Sequence, residues 1–232
     1  MTRVGVITFP GSNDDRDAMR AIRLLGGEAV SLWHAERGLA GLDAVILPGG
    51  FSYGDYLRTG AIAQFAPVLG SVRDFAESGG PVLGICNGFQ ILCEAGLLPG
   101  ALIRNRSLKF VCRWVNVKVE TSASVLTADV APETVLEIPV KHGEGQFVAT
   151  DDEVRRIEGE GLVLLRYCGP DGTLDDDHNV NGSTDAIAGL RNRHGNVVGL
   201  MPHPEHAVDP DLGPTGGRPL LESLLESALA RV

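Results

Sequence analysis

The chain has 232 residues, of which 44% are hydrophobic, so it can form one globular domain with a sizeable core. Thirty acidic residues against 20 basic ones give a formal net charge of −10, which disfavours nucleic-acid binding because such proteins usually present a basic face. No apolar run is long enough to span a bilayer, no signal peptide is recognisable, and the four cysteines form no C-x-x-C pair, so we predict a cytoplasmic protein without a membrane-embedded part.

The first hundred residues alternate short apolar segments with segments whose apolar residues recur at helical spacing. Such alternation predicts an α/β fold with an open, mainly parallel sheet flanked by helices. The predicted strands are residues 4–9, 28–32, Ala44–Leu47 and Val82–Ile85, and the predicted helices are residues 14–25, 60–78 with an interruption near Pro67, and 89–94.

The second half of the chain is richer in strands and turns. No long helix separates residues 111–119 from residues 135–140, which predicts a small antiparallel excursion. Residues 169–183 are rich in Asp, Gly and Asn and predict a long surface loop. Without a repeat or a linker, a single domain over residues 1–232 is the simplest organisation. The other predicted elements are strands at residues 162–167, 186–190 and 197–200, and a helix at residues 218–230.

The G-I-C-N-G segment at residues 84–88 joins a predicted strand to a predicted helix. This pattern is typical of a nucleophile elbow with cysteine in the nucleophile position. Its glycines allow a sharp turn, and the positive end of the following helix favours a thiolate at Cys86. For Cys86 taken alone, a small buried core residue is the alternative. The other cysteines, Cys93, Cys112 and Cys168, are interpreted as core or semi-buried residues.

His203 and Glu205, near the C-terminus, provide partners for such a nucleophile. His203 stands between two prolines, which favour a stiff, extended backbone, and residues i and i+2 of an extended segment point the same way. A carboxylate beside an imidazole can orient it toward a nucleophile. Two alternatives stay open here: His203 and His206 as metal ligands, although no third ligand is evident, or ordinary loop residues. We predict no metal site.

Two glycines, Gly49 and Gly50, follow the strand Ala44–Leu47 after Pro48. They leave backbone N–H groups near Gly50 and Phe51 uncovered, and these can stabilise an oxyanion together with the N–H of Asn87. An ordinary strand-ending turn is the alternative. Phosphate binding is a weaker interpretation, because the lysine and hydroxyl residue of a P-loop are missing.

The segment G-I-C-N-G-F-Q at residues 84–90, with the distant P-H-P-E at residues 202–205, resembles the class I, triad-type glutamine amidotransferases, whose fold is flavodoxin-like. Residues 48–58, 141–147 and 181–183 narrow the resemblance to the glutaminase subunits of phosphoribosylformylglycinamidine synthase. The joint occurrence of these segments is more specific than any one motif.

The resemblance implies that Cys86, His203 and Glu205 hydrolyse glutamine to glutamate and ammonia. It implies a separate synthetase subunit that uses the ammonia and ATP to convert formylglycinamide ribonucleotide into formylglycinamidine ribonucleotide in purine biosynthesis. We expect a small bridging subunit in the complex, no cofactor in this chain, and ATP and Mg²⁺ on the synthetase. The substrate contacts implied are Gln90, His142, Gly143, Gly145 and Phe147.

Two residues depart from the family pattern, and two rival functions stay open. His206 replaces the usual arginine, which puts in doubt any salt bridge of that arginine, and Val180 stands where proline is often found. One rival is a non-catalytic member of the fold that binds a metabolite or senses oxidation at Cys86, although a sensor needs no orienting carboxylate. The other is a triad enzyme that serves a different acceptor, against which residues 142–147 and 181–183 argue.

Overall fold

Strands and helices alternate through the first hundred residues, and strands dominate the rest. The computed structural model describes residues 1–230. Its strands are β1 (Arg3–Thr8), β2 (Glu28–Trp33), β3 (Ala44–Leu47), β4 (Val82–Ile85), β5 (Ala101–Ile103), β6 (Val111–Val119), β7 (Val135–His142), β8 (Gln146–Val148), β9 (Val163–Cys168), β10 (Ile187–Arg191) and β11 (Val197–Leu200). Its helices are α1 (Asp15–Leu24), α2 (Pro67–Glu77), α3 (Asn87–Glu94), α4 (Asp151–Gly159) and α5 (Arg218–Leu229). Within the described residues, none of these helices is long and apolar enough to cross a membrane.

One nine-stranded sheet organises the chain, in the order β2-β1-β3-β4-β11-β10-β9-β6-β7. The strands from β2 to β11 pair in parallel, and the remaining pairs are antiparallel. The short strands β5 and β8 form a separate antiparallel pair. The predicted α/β fold is confirmed, and its antiparallel part extends the same sheet.

The central parallel strands are covered on both faces. Every side chain of β3 and of β4 is buried, and successive side chains of a strand point to opposite faces. This is the pattern of strands that lie between two layers of helices. On these strands, α3 packs against β4 and β11, while α1 packs against β1 and β2.

Two helices differ from the prediction. The helix predicted over residues 60–78 begins only at Pro67, because proline suits the first helical turn, where its missing N–H is not needed. The helix α4 was not predicted, although Thr150 and Glu153 form a capping box at its start. Only Ile157 of its side chains is buried, so its apolar periodicity is weak. The strands β5 and β8 have three residues each, too few to show a period.

The carboxyl ends of β1, β3, β4 and β11 meet at one edge of the sheet, because these strands are parallel. In open α/β sheets, ligands bind beyond this edge, near the point where the strand order reverses. Here the order reverses between β1 and β3. The segments that leave the four strands carry Asp14, Gly50, Cys86 and His203.

Candidate active site

Cys86 lies at the turn between β4 and α3 and has a strained backbone. Its φ of 49° and ψ of −104° are unusual for a residue with a side chain. The turn requires glycine on both sides: a Cβ on Gly88 would overlap the carbonyl oxygen of Leu47, and one on Gly84 would lie 2.7 Å from the Gly88 backbone. The geometry is that of the predicted nucleophile elbow, with Cys86 at its tip.

His203 is buried near Cys86, and Glu205 orients its ring. The backbone N–H of His203 donates to the carbonyl of Pro139 at 2.8 Å. Its Nδ1 lies 2.7 Å from Glu205 Oε1. Its Nε2 is buried and has no hydrogen-bond partner within residues 1–230. A carboxylate at Nδ1 keeps a proton on that nitrogen, so Nε2 is the nitrogen that can exchange a proton with the thiol.

A turn, and not the predicted extended segment, brings His203 and Glu205 together. Pro204–His206 form a 3₁₀ turn. Proline suits such a turn because its ring fixes φ near the helical value. The expected contact is therefore present, but the expectation that both residues share one face of an extended strand was wrong.

Neighbouring negative charges determine the protonation of His203. Burial by itself would lower its pKa, but Glu205 and the sulfur of Cys86 outweigh this effect and raise the pKa to about 10. The imidazolium form is therefore favoured at neutral pH, where it can stabilise a thiolate.

The backbone N–H groups of Gly50 and Asn87 are free at this edge, whereas that of Phe51 is not. The Phe51 N–H donates to the carbonyl of Gly11 at 2.8 Å, which corrects its predicted oxyanion role. Gly50 has a φ of 147°, and a Cβ there would lie 2.7 Å from the Cα of Ser12. Within residues 1–230, neither the Gly50 N–H nor the Asn87 N–H has a protein acceptor.

Asp14 is a buried site residue that sequence reasoning missed. Its carboxylate forms an ion pair with Lys141, and its Oδ1 lies 3.1 Å from His206 Nε2. Its Oδ2 lies 3.8 Å from His203 Nδ1. Burial opposes ionisation of Asp14, but the hydrogen bond from His206 and the charges of His203 and Lys141 hold its pKa well below the usual range. Because these partners are distant in sequence, no local pattern could have marked Asp14.

Four side chains of this region offer ligand atoms within 4.8 Å of one another: Asp14, His203, Glu205 and His206. Asp14 and Glu205 are the further ligands that the sequence did not make evident. However, the Lys141 ammonium contacts Asp14 and lies 3.0 Å from His206 Nε2, so a positive charge already pairs with one of the two carboxylates of the cluster. That the chain has no metal site stays a prediction.

A cavity of about 600 Å³ opens in front of Cys86, large enough for an amino acid. Exposed apolar side chains, Phe51, Leu108 and Phe110, stand on its wall. Its polar lining includes Asp14, Asp55, Gln90, Arg104, Lys141, His142 and Glu144.

Asn105 determines which nitrogen of His142 carries the proton. Its Nδ2 donates to the carbonyl oxygens of Lys109 and His142, each at 2.9 Å, so its Oδ1 is an acceptor. That oxygen lies 3.1 Å from His142 Nδ1, which must therefore donate. His142 Nε2 is then an acceptor, and it has no hydrogen-bond partner in the described chain. Burial and the charge of His203 lower the pKa of His142 to about 4, so the ring is neutral.

Three of the five predicted substrate contacts line the cavity: Gln90, His142 and Gly143. The side chain of Gln90 is held at both ends. Its Oε1 accepts from Asn87 Nδ2 at 2.8 Å, and its Nε2 donates to the carbonyl of Glu144 at 2.5 Å. Gln90 thus links α3 to the loop of residues 143–145.

Gly145 and Phe147 lie behind the cavity wall, so their predicted contact with substrate is not supported. Phe147 is fully buried and stacks on Phe89, with ring centroids 6.5 Å apart. The Gly145 carbonyl accepts from Asn181 Nδ2 at 2.7 Å, and the Phe147 N–H donates to Ser183 Oγ at 3.0 Å. The Asn-Gly-Ser segment therefore supports the loop that lines the cavity.

The elbow cysteine, the histidine with its carboxylate and the free N–H groups define the class of triad-type glutamine amidotransferases. A family model for the CobB/CobQ-like glutamine amidotransferase domain matches residues 1–215. The chain is 20% identical to a glutamine amidotransferase from Thermotoga maritima, with a TM-score of 0.58 over 99% of this chain and 97% of that one, which supports the fold alone.

Relatives with higher sequence identity identify one family within this class. The chain is 56% identical to phosphoribosylformylglycinamidine synthase subunit PurQ of Rubrobacter xylanophilus, over 97% of this chain and 99% of that protein. It is 53% identical to the same subunit of Rhodopseudomonas palustris, over 95% and 96%. The structure of PurLQS from Thermotoga maritima matches with a TM-score of 0.85 and 42% identity, over 97% and 98%. The chain belongs to the PurQ family of glutamine amidotransferase subunits of phosphoribosylformylglycinamidine synthase. These comparisons give no support to a non-catalytic role.

Proposed function

We propose that Cys86, His203 and Glu205 hydrolyse glutamine through a glutamyl thioester on Cys86. One observation carries this proposal. Glu205 Oε1 lies 2.7 Å from His203 Nδ1, while the other ring nitrogen, Nε2, is buried near Cys86 and has no hydrogen-bond partner within residues 1–230. In this arrangement an imidazole can move a proton between a nucleophile and a leaving group. The chain acts as one domain over residues 1–232, which agrees with its single continuous main sheet.

The Cys86 thiolate forms a bond to the side-chain carbonyl carbon of glutamine, and the carbonyl electron pair moves to oxygen. The N–H groups of Gly50 and Asn87 donate to this oxyanion. His203 gives its Nε2 proton to the amide nitrogen, the C–N bond breaks, and ammonia leaves. Neutral His203 then takes a proton from water as the water oxygen attacks the thioester. Collapse of the second oxyanion releases glutamate and restores the ion pair of thiolate and imidazolium.

The other cavity residues position the substrate. Gln90 and Gly143 contact glutamine beside the nucleophile, and neutral His142 accepts a hydrogen bond from it at Nε2. Because the pKa of His142 is lowered to about 4, this acceptor persists across the physiological pH range. The chain carries no cofactor.

Ammonia passes to the synthetase subunit, which uses ATP and Mg²⁺ to convert formylglycinamide ribonucleotide into formylglycinamidine ribonucleotide. A small bridging subunit completes this cytoplasmic complex. The similarity to PurLQS supports the assembly. So does an unpaired apolar surface beside the cavity: Tyr56 and Leu57 are 86% and 79% exposed, in the same segment as the cavity residue Asp55. Exposed apolar patches of this kind mark protein contacts.

The complex with Cys86→Ser tests whether this chain supplies the ammonia that the synthetase subunit uses. We expect glutamine-dependent synthesis to fall by about 10³-fold or more, because serine is a poor nucleophile in a site built for a thiolate. Synthesis from ammonium chloride should persist. Cys112→Ser is the matched control, since Cys112 is exposed and does not line the cavity. If ammonium failed to rescue a correctly assembled Cys86→Ser complex, the proposal would be wrong.

An electrophilic glutamine analogue tests the nucleophile directly. The wild type should be labelled once, at Cys86, and Cys112→Ser should be labelled to the same extent. Cys93 and Cys168 are buried, and burial raises the pKa of both thiols, so neither should compete. Peptide mass spectrometry that placed the adduct on another cysteine would contradict the assignment.

A further inference from the structure

One carboxylate of the cavity has an oxygen without a hydrogen-bond partner. Asp14 is ion-paired with Lys141, and Glu144 lies 3.5 Å from the Arg104 guanidinium. Asp55 also lines the cavity, but its Oδ1 is buried and has no hydrogen-bond partner within residues 1–230. A buried carboxylate oxygen without a donor is unfavourable, so its persistence indicates a missing ligand.

The backbone holds Asp55 in place by an unusual turn. Tyr53, Gly54 and Asp55 have φ values of 54°, 74° and 51°, a left-handed conformation that costs free energy for residues with side chains. Strain of this kind persists only where the surroundings impose it. It therefore indicates that the position of the Asp55 side chain is selected.

Three contacts anchor this turn to the nucleophile helix α3. The Ser52 N–H donates to Asn87 Oδ1 at 3.1 Å. The Arg58 guanidinium forms two hydrogen bonds with Glu94, at 2.6 and 2.7 Å. Gly60 packs so closely that a Cβ there would lie 2.7 Å from the Ile91 backbone nitrogen. The carboxylate of Asp55 is thus fixed relative to Cys86, which α3 also positions.

The charge of the site favours a cation at this point. Burial raises the pKa of Asp55 to about 6, and the nearby charge of Glu144 adds to this, although hydrogen bonds from Gly60 and Asn87 oppose it. An ammonium group beside Asp55 would supply the missing donor and neutralise the excess negative charge. Charge-assisted hydrogen bonds of this type are the strong ones.

We propose that Asp55 binds the α-ammonium group of glutamine and selects α-amino acids at this site. The proposal rests on the proposed glutaminase function, because it assumes that the side-chain amide lies at Cys86. The α-amino group lies at the far end of an extended glutamine, and Cys86 and Asp55 line the same cavity. Asp55 is therefore a specificity residue that holds the head group while Cys86 attacks the amide.

The test compares L-glutamine with glutaramate, which is glutamine without its α-amino group, in the assembled synthase. For Asp55→Asn, we expect kcat/KM for glutamine to fall about 10- to 100-fold, as for loss of a charged hydrogen bond. The value for glutaramate should stay within about threefold of wild type, because glutaramate has no group for Asp55 to bind. If glutaramate is not turned over, its inhibition constant against glutamine serves instead.

Controls separate binding from structure. Asp211→Asn removes an exposed carboxylate outside the cavity and should leave both substrates unaffected. Synthesis from ammonium chloride should persist in Asp55→Asn, and Asp55→Ser should repeat its pattern. An equal loss for both substrates, or no loss for glutamine, would overturn the role of Asp55 alone. A wild-type complex that hydrolysed no glutamine would overturn the proposed function as well.

Discussion

The carboxylate of Glu205 both orients His203 and raises its proton affinity. Glu205→Gln keeps the size of the side chain but removes its charge. We expect His203→Ala to cost nearly as much kcat as Cys86→Ser, because members of a triad act as a unit. Glu205→Gln should cost roughly 10- to 100-fold less than His203→Ala, as in a serine triad. Equal losses in glutamine hydrolysis would assign Glu205 a more direct role.

Glu205→Gln should also change the pH dependence of glutamine hydrolysis. Glu205 stabilises the imidazolium and contributes to a His203 pKa of about 10, so its removal lowers that pKa. In Glu205→Gln the imidazolium therefore loses its proton at a lower pH than in the wild type. The alkaline limb of the kcat/KM profile should move to lower pH accordingly. A pH profile of glutamine hydrolysis measures this shift. An unchanged or higher alkaline limb would contradict the ion pair of His203 and Cys86.

Asp14 and Asn105 show why these residue roles were harder to predict than the triad. Cys86 and His203 stand in local patterns, an elbow and a proline pair, that carry chemical meaning on their own. Asp14 becomes a site residue only because β1, β7 and the turn after β11 meet at one edge. Asn105 acts through hydrogen bonds to a segment almost 40 residues away. Such roles depend on tertiary contacts, which spacing along a chain does not encode.

At the scale of elements, close approach of α3 to the sheet is what shapes the elbow. Gly88 contacts the carbonyl of Leu47 so closely that Ala cannot fit without a backbone shift. We expect Gly88→Ala to reduce kcat/KM for glutamine by about 10²-fold or more, since small displacements of catalytic groups have effects of this size. Assays of glutamine hydrolysis and of thermal unfolding measure both consequences.

Gly70 supplies the matched control for Gly88. It lies within α2, and a Cβ there would meet nothing within 4 Å. Gly70→Ala should therefore leave activity unchanged and stabilise the protein by roughly 0.5–1 kcal/mol through helix propensity. If Gly88→Ala were as active as Gly70→Ala, the elbow would not depend on this close approach.

The parallel strands and their helices were predictable because each carries a strong local signal. β3 and β4 are short, largely apolar runs with glycines close to their ends, and α1 ends shortly before Gly26-Gly27. The start of α2 and the whole of α4 were missed, since end signals such as Pro67 and the Thr150–Glu153 capping box are weaker than apolar periodicity. The sequence also could not show that the antiparallel strands join the parallel sheet. That connection depends on the pairing of β11 with β10, which is a tertiary contact.

At the scale of the whole molecule, exposed surface segments support the walls of the cavity around Cys86. The cavity loop depends on residues 181–183, which are connected to the acidic surface loop before them. A partner that contacts this loop and the segment of residues 52–58 can favour the aligned state. We therefore expect the isolated chain to hydrolyse glutamine slowly, and the complex with its nucleotide substrates to hydrolyse it faster.

Leu57 provides the sharpest test of that contact. It is 79% exposed beside the cavity segment, and truncation of an apolar anchor in an interface typically costs about 1–2 kcal/mol. Leu57→Ser should then raise the half-saturating concentration of this chain about 5- to 30-fold, measured as glutamine-dependent synthesis at fixed synthetase and bridging subunit. Leu24→Ser is the control, because Leu24 is half-exposed at the end of α1 remote from the catalytic edge. At saturation, Leu57→Ser should regain most of its activity, since the triad is untouched. Equal half-saturating concentrations for Leu57→Ser, Leu24→Ser and wild type would place the docking surface elsewhere on the molecule.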